Sequence, residues 1–269
     1  MATVDFGFIG IGNMGSALAR AVVKSQGGSN VVISDKNQRA VEILSNELRC
    51  SRGDISAVAT YARFIFLGVK PQVLPEVLNT IKPYLEARSD RYILVTMAAG
   101  VKISSINEIL GKIYPVIRIM PNTPVSVGKG MVLYSPSNEV FMDEIGEFMK
   151  ALENAGKIDK IPEELIDAAS AVSGCGPAFV YMFAESMADA GVEAGLPRDK
   201  ALLYAAQTLS GAAELMLKTN KHPAVLKDEV CSPGGSTIAG VHSLESDGFK
   251  GDVMNAIRAS FERTKELGK

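Results

Sequence analysis

Phe6-Gly7-Phe8-Ile9-Gly10-Ile11-Gly12-Asn13-Met14-Gly15 joins a short apolar run to a G-x-G-x-x-G and then to a helical pattern that begins at Ser16. The order is that of a strand, a tight turn and a helix N-terminus. In such a turn Gly10 permits the sharp reversal, Gly12 lets backbone approach a pyrophosphate, and Gly15 allows the helix to pack close to the strand. The helix start adds free N–H groups and a partial positive charge. With Val31–Ile33 following as a second strand, the spacing predicts a dinucleotide site over Gly10, Ile11, Gly12, Asn13, Met14 and Gly15. Asp35 stands 20 residues beyond Gly15, where a carboxylate accepts hydrogen bonds from ribose hydroxyls and repels a 2′-phosphate. Neighbouring Ser34, Lys36, Asn37 and Arg39 are donors or cations suited to a phosphate, so the residues leave NAD(H) and NADP(H) both open.

Outward from this stretch, Phe64–Val69, Ile93–Met97 and Val116–Met120 also read as buried strands, being short, largely β-branched or aromatic, and bounded by turn residues. Between them Ser16–Lys24, Arg39–Leu48 and Val73–Ile81 carry helical periodicity. Strands separated by helices need crossover connections, which are right-handed. The expected N-terminal architecture is therefore an α/β, Rossmann-type doubly wound parallel sheet with helices on both faces. Ligands of such sheets bind at the carboxyl ends of the strands. Val69, Lys70 and Pro71 end one strand, and Ala98 and Ala99 follow another with side chains small enough to admit a flat ring. Asn122, in the rigid exit Met120–Pro124, either shapes a nicotinamide pocket or joins the domains.

After about Pro162 the strand rhythm stops. Leu165, Ile166, Ala169 and Val172 follow a helical period that Ser173-Gly174-Cys175-Gly176-Pro177 interrupts. Phe179, Met182, Phe183, Ala190 and Ala194 form one stripe of a following helix, and another runs from Arg198 to Leu217 with hardly a charge in its middle. Val253, Ile257 and Phe261 mark a last amphipathic helix. Two domains are expected: a dinucleotide-binding domain over residues 1–160 and an all-α dimerisation and substrate domain over residues 161–269. Helices this apolar cannot all be hidden inside the second domain, so a homodimer interface is expected.

Lys and Arg total 28 against 30 Asp and Glu, a net charge of −2 that offers no electrostatic footprint for nucleic acid or an anionic membrane. A composition of 47% apolar and 22% charged residues excludes an intrinsically disordered chain. Runs such as Phe64-Ile65-Phe66-Leu67 fall far short of the ~20 residues that cross a bilayer, so no membrane partner is expected. A basic n-region is lacking ahead of the glycine-interrupted first strand, which argues against a secretory signal. Cys50, Cys175 and Cys231 lack metal-ligand spacing and read as reduced thiols of a cytoplasmic protein without a metal site.

Cys231-Ser232-Pro233-Gly234-Gly235-Ser236-Thr237 precedes a helical pattern of Ile238, Val241 and Leu244. Glycines and hydroxyls at a helix start expose several N–H donors in one direction and make an anion nest. A plain N-cap needs one hydroxyl, whereas residues 232–237 hold three hydroxyls and two glycines, which suits a small carboxylate. Other catalytic groups are few: His222 reads as a loop residue and His242 as a helix-surface residue. No H-E-x-x-H, paired-cysteine or G-x-S-x-G pattern occurs. A dehydrogenase acting on an alcohol needs a strong general base, while reduction of a protonated imine needs positioning and one hydrogen-bonding group.

Phe8–Gly15, Val69–Pro71, Met97–Gly100, Arg118–Pro124, Ser173–Ala178 and Cys231–Gly240, in this order, resemble the motifs of the Δ1-pyrroline-5-carboxylate reductases, from about Phe6 to Leu267. The resemblance implies hydride transfer from NAD(P)H to the C=N carbon of pyrroline-5-carboxylate, giving L-proline in the last step of proline synthesis. It implies that Thr237 is the catalytic group bonding the ring nitrogen, and that the loop of Ser232, Gly234, Gly235 and Ser236 holds the carboxylate. It also implies a substrate-side contact at Glu163 and a cofactor border at Val69, Lys70, Pro71, Ala98 and Ala99. Helical domains of that family interlock into dimers, often stacked into decamers, with the catalytic cleft at the dimer interface. This chain departs from the pattern at Asp35, where members using NADPH commonly carry a small hydroxyl residue. It departs again near Ile55, where many have a cofactor-touching Asn, and at Glu229, where some have an amide. Two other readings stand beside it. A related imine reductase or β-hydroxyacid dehydrogenase would place a lysine on the helix after the Ser-Gly turn, and Ala178–Met182 has none. A non-catalytic dinucleotide-binding regulator would not need the Ser232–Thr237 nest.

Overall fold

The structure, a computed structural model, describes residues 4–267. It divides into two compact units, one made of the chain up to Cys175 together with the residues from Ser260 onward, the other of Gly176–Ala259.

In the first unit the chain runs β1 (Val4–Ile9), α1 (Asn13–Gln26), β2 (Val31–Ser34), α2 (Gln38–Leu48), β3 (Ser51–Arg52), α3 (Ile55–Tyr61) and β4 (Ala62–Leu67). It continues through α4 (Leu74–Glu86), β5 (Ile93–Thr96), α5 (Ile103–Leu110), β6 (Val116–Pro121), β7 (Gly130–Pro136), α6 (Met142–Ala151), β8 (Gly156–Lys160) and α7 (Ile166–Ser173). The strands form one sheet in the order β3-β2-β1-β4-β5-β6-β7-β8. Alternation along β1 and β4 sorts the core. Phe6 and Phe8 stack on Phe64 and Phe66 with ring centroids 5.4 and 4.5 Å apart, on the face that also holds Leu18, Val22 and Phe148. Ile9, Ile65 and Leu67 point the other way, against Leu78, Ile81 and Ile106. Burial on both faces explains why these strands read as continuous apolar runs.

The sheet is mostly parallel, as expected, with one reversal. β7 runs antiparallel to β6, and β8 then pairs parallel to β7. Only a single 3₁₀ turn, Thr123–Val127, separates β6 from β7, too short for a crossover helix, so the chain can only double back. The compact division at Cys175 lies beyond the 160/161 boundary read from the sequence pattern. Ile166, fully buried in a cluster with Met120 and Leu133, keeps α7 with the sheet.

The second unit holds α8 (Gly176–Glu193), α9 (Arg198–Thr219), α10 (Pro223–Val230), α11 (Ser236–Ser246) and the first half of α12 (Phe249–Leu267). Its buried apolar residues are Ala188, Ala201 and Ala205. Large side chains stand outside: Tyr181 is 63% exposed, Met182 66%, Leu203 57% and Tyr204 54%. Within Glu163–Glu193, which runs through α7 and α8, an 18-residue window reaches a mean hydropathy of 1.2, so by length and composition alone this stretch is apolar enough to cross a bilayer. Its interspersed Ala, Gly and Ser hide this from a search for unbroken runs of large apolar residues.

Candidate functional site

The three fingerprint glycines do different work. Gly10 turns the chain at φ +92°, and a Cβ there would lie 2.8 Å from the Gly68 carbonyl. At Gly15 a Cβ would lie 2.1 Å from Gly10 O, so α1 sits as close to the turn as backbone allows. At Gly12 a Cβ would meet no protein atom within 4 Å, so this is the open side of the turn. Gly12 is also the residue before α1 and supplies no side-chain cap, which leaves first-turn N–H groups for a ligand. A pyrophosphate fits this arrangement, an anion at a helix N-terminus approached by bare backbone.

Asp35, just past β2, is held by the same turn. Ile11 N–H donates to its Oδ2 (2.8 Å) and Asn37 N–H to its Oδ1 (2.9 Å), while Gln38 Nε2 donates to its carbonyl (2.8 Å). The carboxylate therefore ties the fingerprint to the end of β2 and keeps its remaining lone pairs for a ligand.

A cavity of about 920 Å³ opens here, and it gathers Gly10, Gly12, Ser34, Asp35, Val69 and Lys70 from the expected set. Ile11, Asn13, Met14, Gly15 and Pro71 belong to the surrounding turns without lining it. Sequence reasoning missed Gln38, Asp54, Gly68, Val73, Glu76 and Thr80, which do line it, and carried no contact over to Ile55, which lines it too. Asp54 is the N-cap of α3. Hydrogen bonds to its carboxylate from Ser56 Oγ (2.6 Å) and Ala57 N–H (2.8 Å) hold that carboxyl below its ordinary range. The signal that would have found Asp54 and Ile55 is their place after a parallel strand, but β3 is only two residues long.

Ala98, Ala99, Asn122 and Glu163 do not line this cavity. Ala98 is buried among Leu94, Ile103 and Ile106, and Ala99 packs against Met120, Leu133 and Ile166, because the chain turns at Gly100 (φ +74°) into the core. Asn122 Nδ2 donates to Ser173 O (2.9 Å) and its Oδ1 accepts from Met131 N–H (2.8 Å). The Asn122 amide thus ties β7 to α7. Glu163 Oε1 accepts from Ile103 N–H (2.7 Å), capping the start of α5, and faces Arg118 Nη1 at 3.5 Å. Arg118, 1% exposed, also donates to Asp167 Oδ1 at 2.5 Å. Glu163 is thereby a structural partner of Arg118 beside a separate cavity of about 490 Å³.

In the second unit Ser232–Gly235 forms a closed turn: Gly235 N–H donates to Ser232 O (3.0 Å), and Gly234 takes φ +67°. A Cβ on Gly235 would strike Ser232 Oγ at 2.4 Å, whereas one on Gly234 would meet nothing within 4 Å. Gly235 therefore closes the turn and Gly234 keeps its face bare. Gly235 caps α11 without a side chain, and Ser236 and Thr237 stand exposed in its first turn. First-turn amides with no side-chain cap can receive an anion. His222 is the N-cap of α10, its Nδ1 accepting from Ala224 N–H at 3.2 Å, and His242 is exposed on α11.

Residues 163–267 match the family model described as pyrroline-5-carboxylate reductase dimerisation. Residues 5–100 match the one described as NADP oxidoreductase coenzyme F420-dependent. The chain is 39% identical to the pyrroline-5-carboxylate reductase of Pisum sativum, over 97% of this chain and 95% of that protein. Against pyrroline-5-carboxylate reductase 2 of Homo sapiens the identity is 38%, covering 98% of this chain and 84% of the other. The crystal structure of Plasmodium falciparum pyrroline carboxylate reductase with NADP bound matches at a TM-score of 0.88 and 34% identity, over 100% of both chains. The Coxiella burnetii pyrroline-5-carboxylate reductase matches at 0.91 and 27%, over 99% of both. This chain belongs to the pyrroline-5-carboxylate reductase family.

Proposed function

We propose that this protein reduces 1-pyrroline-5-carboxylate to L-proline with hydride from NADH or NADPH. The observation that carries this reading is the full-length identity to reductases of that name, 39% over 97% of the chain for the pea protein. The cleft at Gly10, Gly12, Ser34, Asp35, Val69 and Lys70 is the cofactor site, and its open Gly12 side accepts the pyrophosphate. The bound dinucleotide supplies the hydride to the C=N carbon, and the ring nitrogen keeps the proton it brings as an iminium.

In this reading the first-turn amides of α11, beside bare Gly234, receive the substrate carboxylate, with Ser232 and Ser236 as flanking hydroxyls. The Thr237 hydroxyl bonds the ring nitrogen and fixes which face of the imine is presented, a task that positioning and one hydrogen bond can accomplish. Glu163, Ala98, Ala99 and Asn122 act by packing and hydrogen bonding within the first unit. Free thiols at Cys50, Cys175 and Cys231 accord with a reducing, cytoplasmic setting. The assembly is a homo-oligomer built on the apolar faces of α8 and α9, either a dimer or a decamer of stacked dimers.

The test is oxidation of reduced dinucleotide dependent on pyrroline-5-carboxylate, with L-proline identified as product. Thr237→Ala should lower turnover by roughly 10–10³-fold. Unchanged kinetics in that variant would reduce Thr237 to a helix-surface residue, and no L-proline from the wild type would overturn the assignment.

A further inference from the structure

Two anchored carboxylates, Asp35 and Asp54, line the cleft. Asp35 is anchored by the Ile11 and Asn37 amides, and Asp54 is anchored by Ser56 and Ala57, so neither can swing away from the cavity both of them line. Of the donors beside Asp35, Gln38 Nε2 is engaged with Asp35 O and Ser34 is 6% exposed, while Asn37 spends its Oδ1 on the α2 cap. Lys36 in the cavity wall and exposed Arg39 at the start of α2 are the opposing cations. A ribose bearing two free hydroxyls can donate to the outer lone pairs of these carboxylates, whereas a 2′-phosphate brings a charge of about −2 toward both.

We infer that the cleft selects the dinucleotide without a 2′-phosphate, so that this chain is an NADH-preferring reductase in which Asp35 and Asp54 together set the preference. The inference rests on the reading of this cleft as the cofactor site of a reductase. It concerns this chain's own residues, although a solved relative from Plasmodium falciparum binds NADP.

The experiment compares kcat/KM for NADH and NADPH at fixed pyrroline-5-carboxylate, with calorimetric Kd values for both dinucleotides, in the wild type, Asp54→Asn and Asp35→Ser. Asparagine retains the N-cap acceptor of α3, so Asp54→Asn preserves the fold where loss of the Ile11 anchor in Asp35→Ser could loosen the turn. The wild type should favour NADH by about tenfold or more, and each variant should move the ratio toward NADPH by about tenfold. A wild type that prefers NADPH or is indifferent, or an Asp54→Asn ratio equal to that of the wild type, overturns the inference. Absence of turnover with either dinucleotide refutes the reductase reading instead, and the Kd ratio then still decides the selectivity.

Discussion

A single methyl group should separate the two jobs done by the fingerprint glycines. Gly12→Ala adds a Cβ that touches no protein atom, so unfolding by denaturant should move by no more than about 1 kcal/mol. The same methyl intrudes on the side open to pyrophosphate, and dinucleotide affinity should fall at least about tenfold, near 1.4 kcal/mol. Gly15→Ala places its methyl 2.1 Å from Gly10 O, where only backbone can yield. That variant should lose about 1–3 kcal/mol of stability in the same titration, along with binding. Equal stability of the two variants would show that the turn relaxes freely. At this scale the fingerprint is legible because strand, glycine spacing and helix all reinforce one another in ten consecutive residues. The partners of Asp35, Asn122 and Glu163 are not legible. Each depends on a carbonyl or amide brought near by the fold, as Ser173 O is to Asn122 from 51 residues away.

Elements that wrap around the sheet are tied by charge where apolar packing ends. Ahead of β5, Arg91 Nε donates to Glu144 Oε1 at 2.7 Å, and Phe141 N–H donates to Glu144 Oε2 at 2.8 Å, so one carboxylate caps α6 and holds it to β5. Burial raises the Glu144 pKa, but the hydrogen bonds from Arg91 and the Phe141 amide, with the charges of Arg91 and Arg63, outweigh it and hold the carboxyl below its ordinary range. A carboxyl depressed in the folded state stabilises above its unfolded pKa, about 4.3 for glutamate, and loses that contribution as pH falls through the folded value. Glu144→Gln should therefore cost about 1 kcal/mol near neutrality, a modest figure because the Arg91 side chain is 39% exposed. Thermal unfolding followed from pH 7 downward should show the gap between wild type and variant closing below about pH 4. A gap constant with pH would assign the cost to packing. Five buried strands, β1, β2, β4, β5 and β6, are legible as apolar runs with helices between them. β7 and β8 are not, since β8 reads Gly-Lys-Ile-Asp-Lys and alternates exposed polar residues at the sheet edge. The reversal at β7 follows from a loop length that carries no apolar signal of its own.

For the molecule as a whole, the second unit poses a problem that one chain cannot solve. Its fully buried apolar side chains are the methyls of Ala188, Ala201 and Ala205, with Met187 and Val192 partly buried against them, a small apolar area to set against the entropy of ordering the chain. Helical hydrogen bonds alone leave such a unit marginal, so its stability must come from covering Tyr181, Met182, Leu203 and Tyr204. A lipid bilayer and a second copy of the chain are the two coverings such a face admits. Glu185, Asp189 and Glu193 interrupt α8 at every turn of its C-terminal half and are costly in hydrocarbon, which favours a second copy. Sedimentation at micromolar concentration should therefore give a dimer or larger, and the melting temperature should rise with protein concentration because folding and association are coupled. Met182→Asp with Leu203→Asp should abolish the larger species and lower the melting temperature, while recovery of the wild type only with detergent would favour the bilayer. A monomer whose melting temperature is independent of concentration would mean that the second unit holds together with its large apolar side chains left in water.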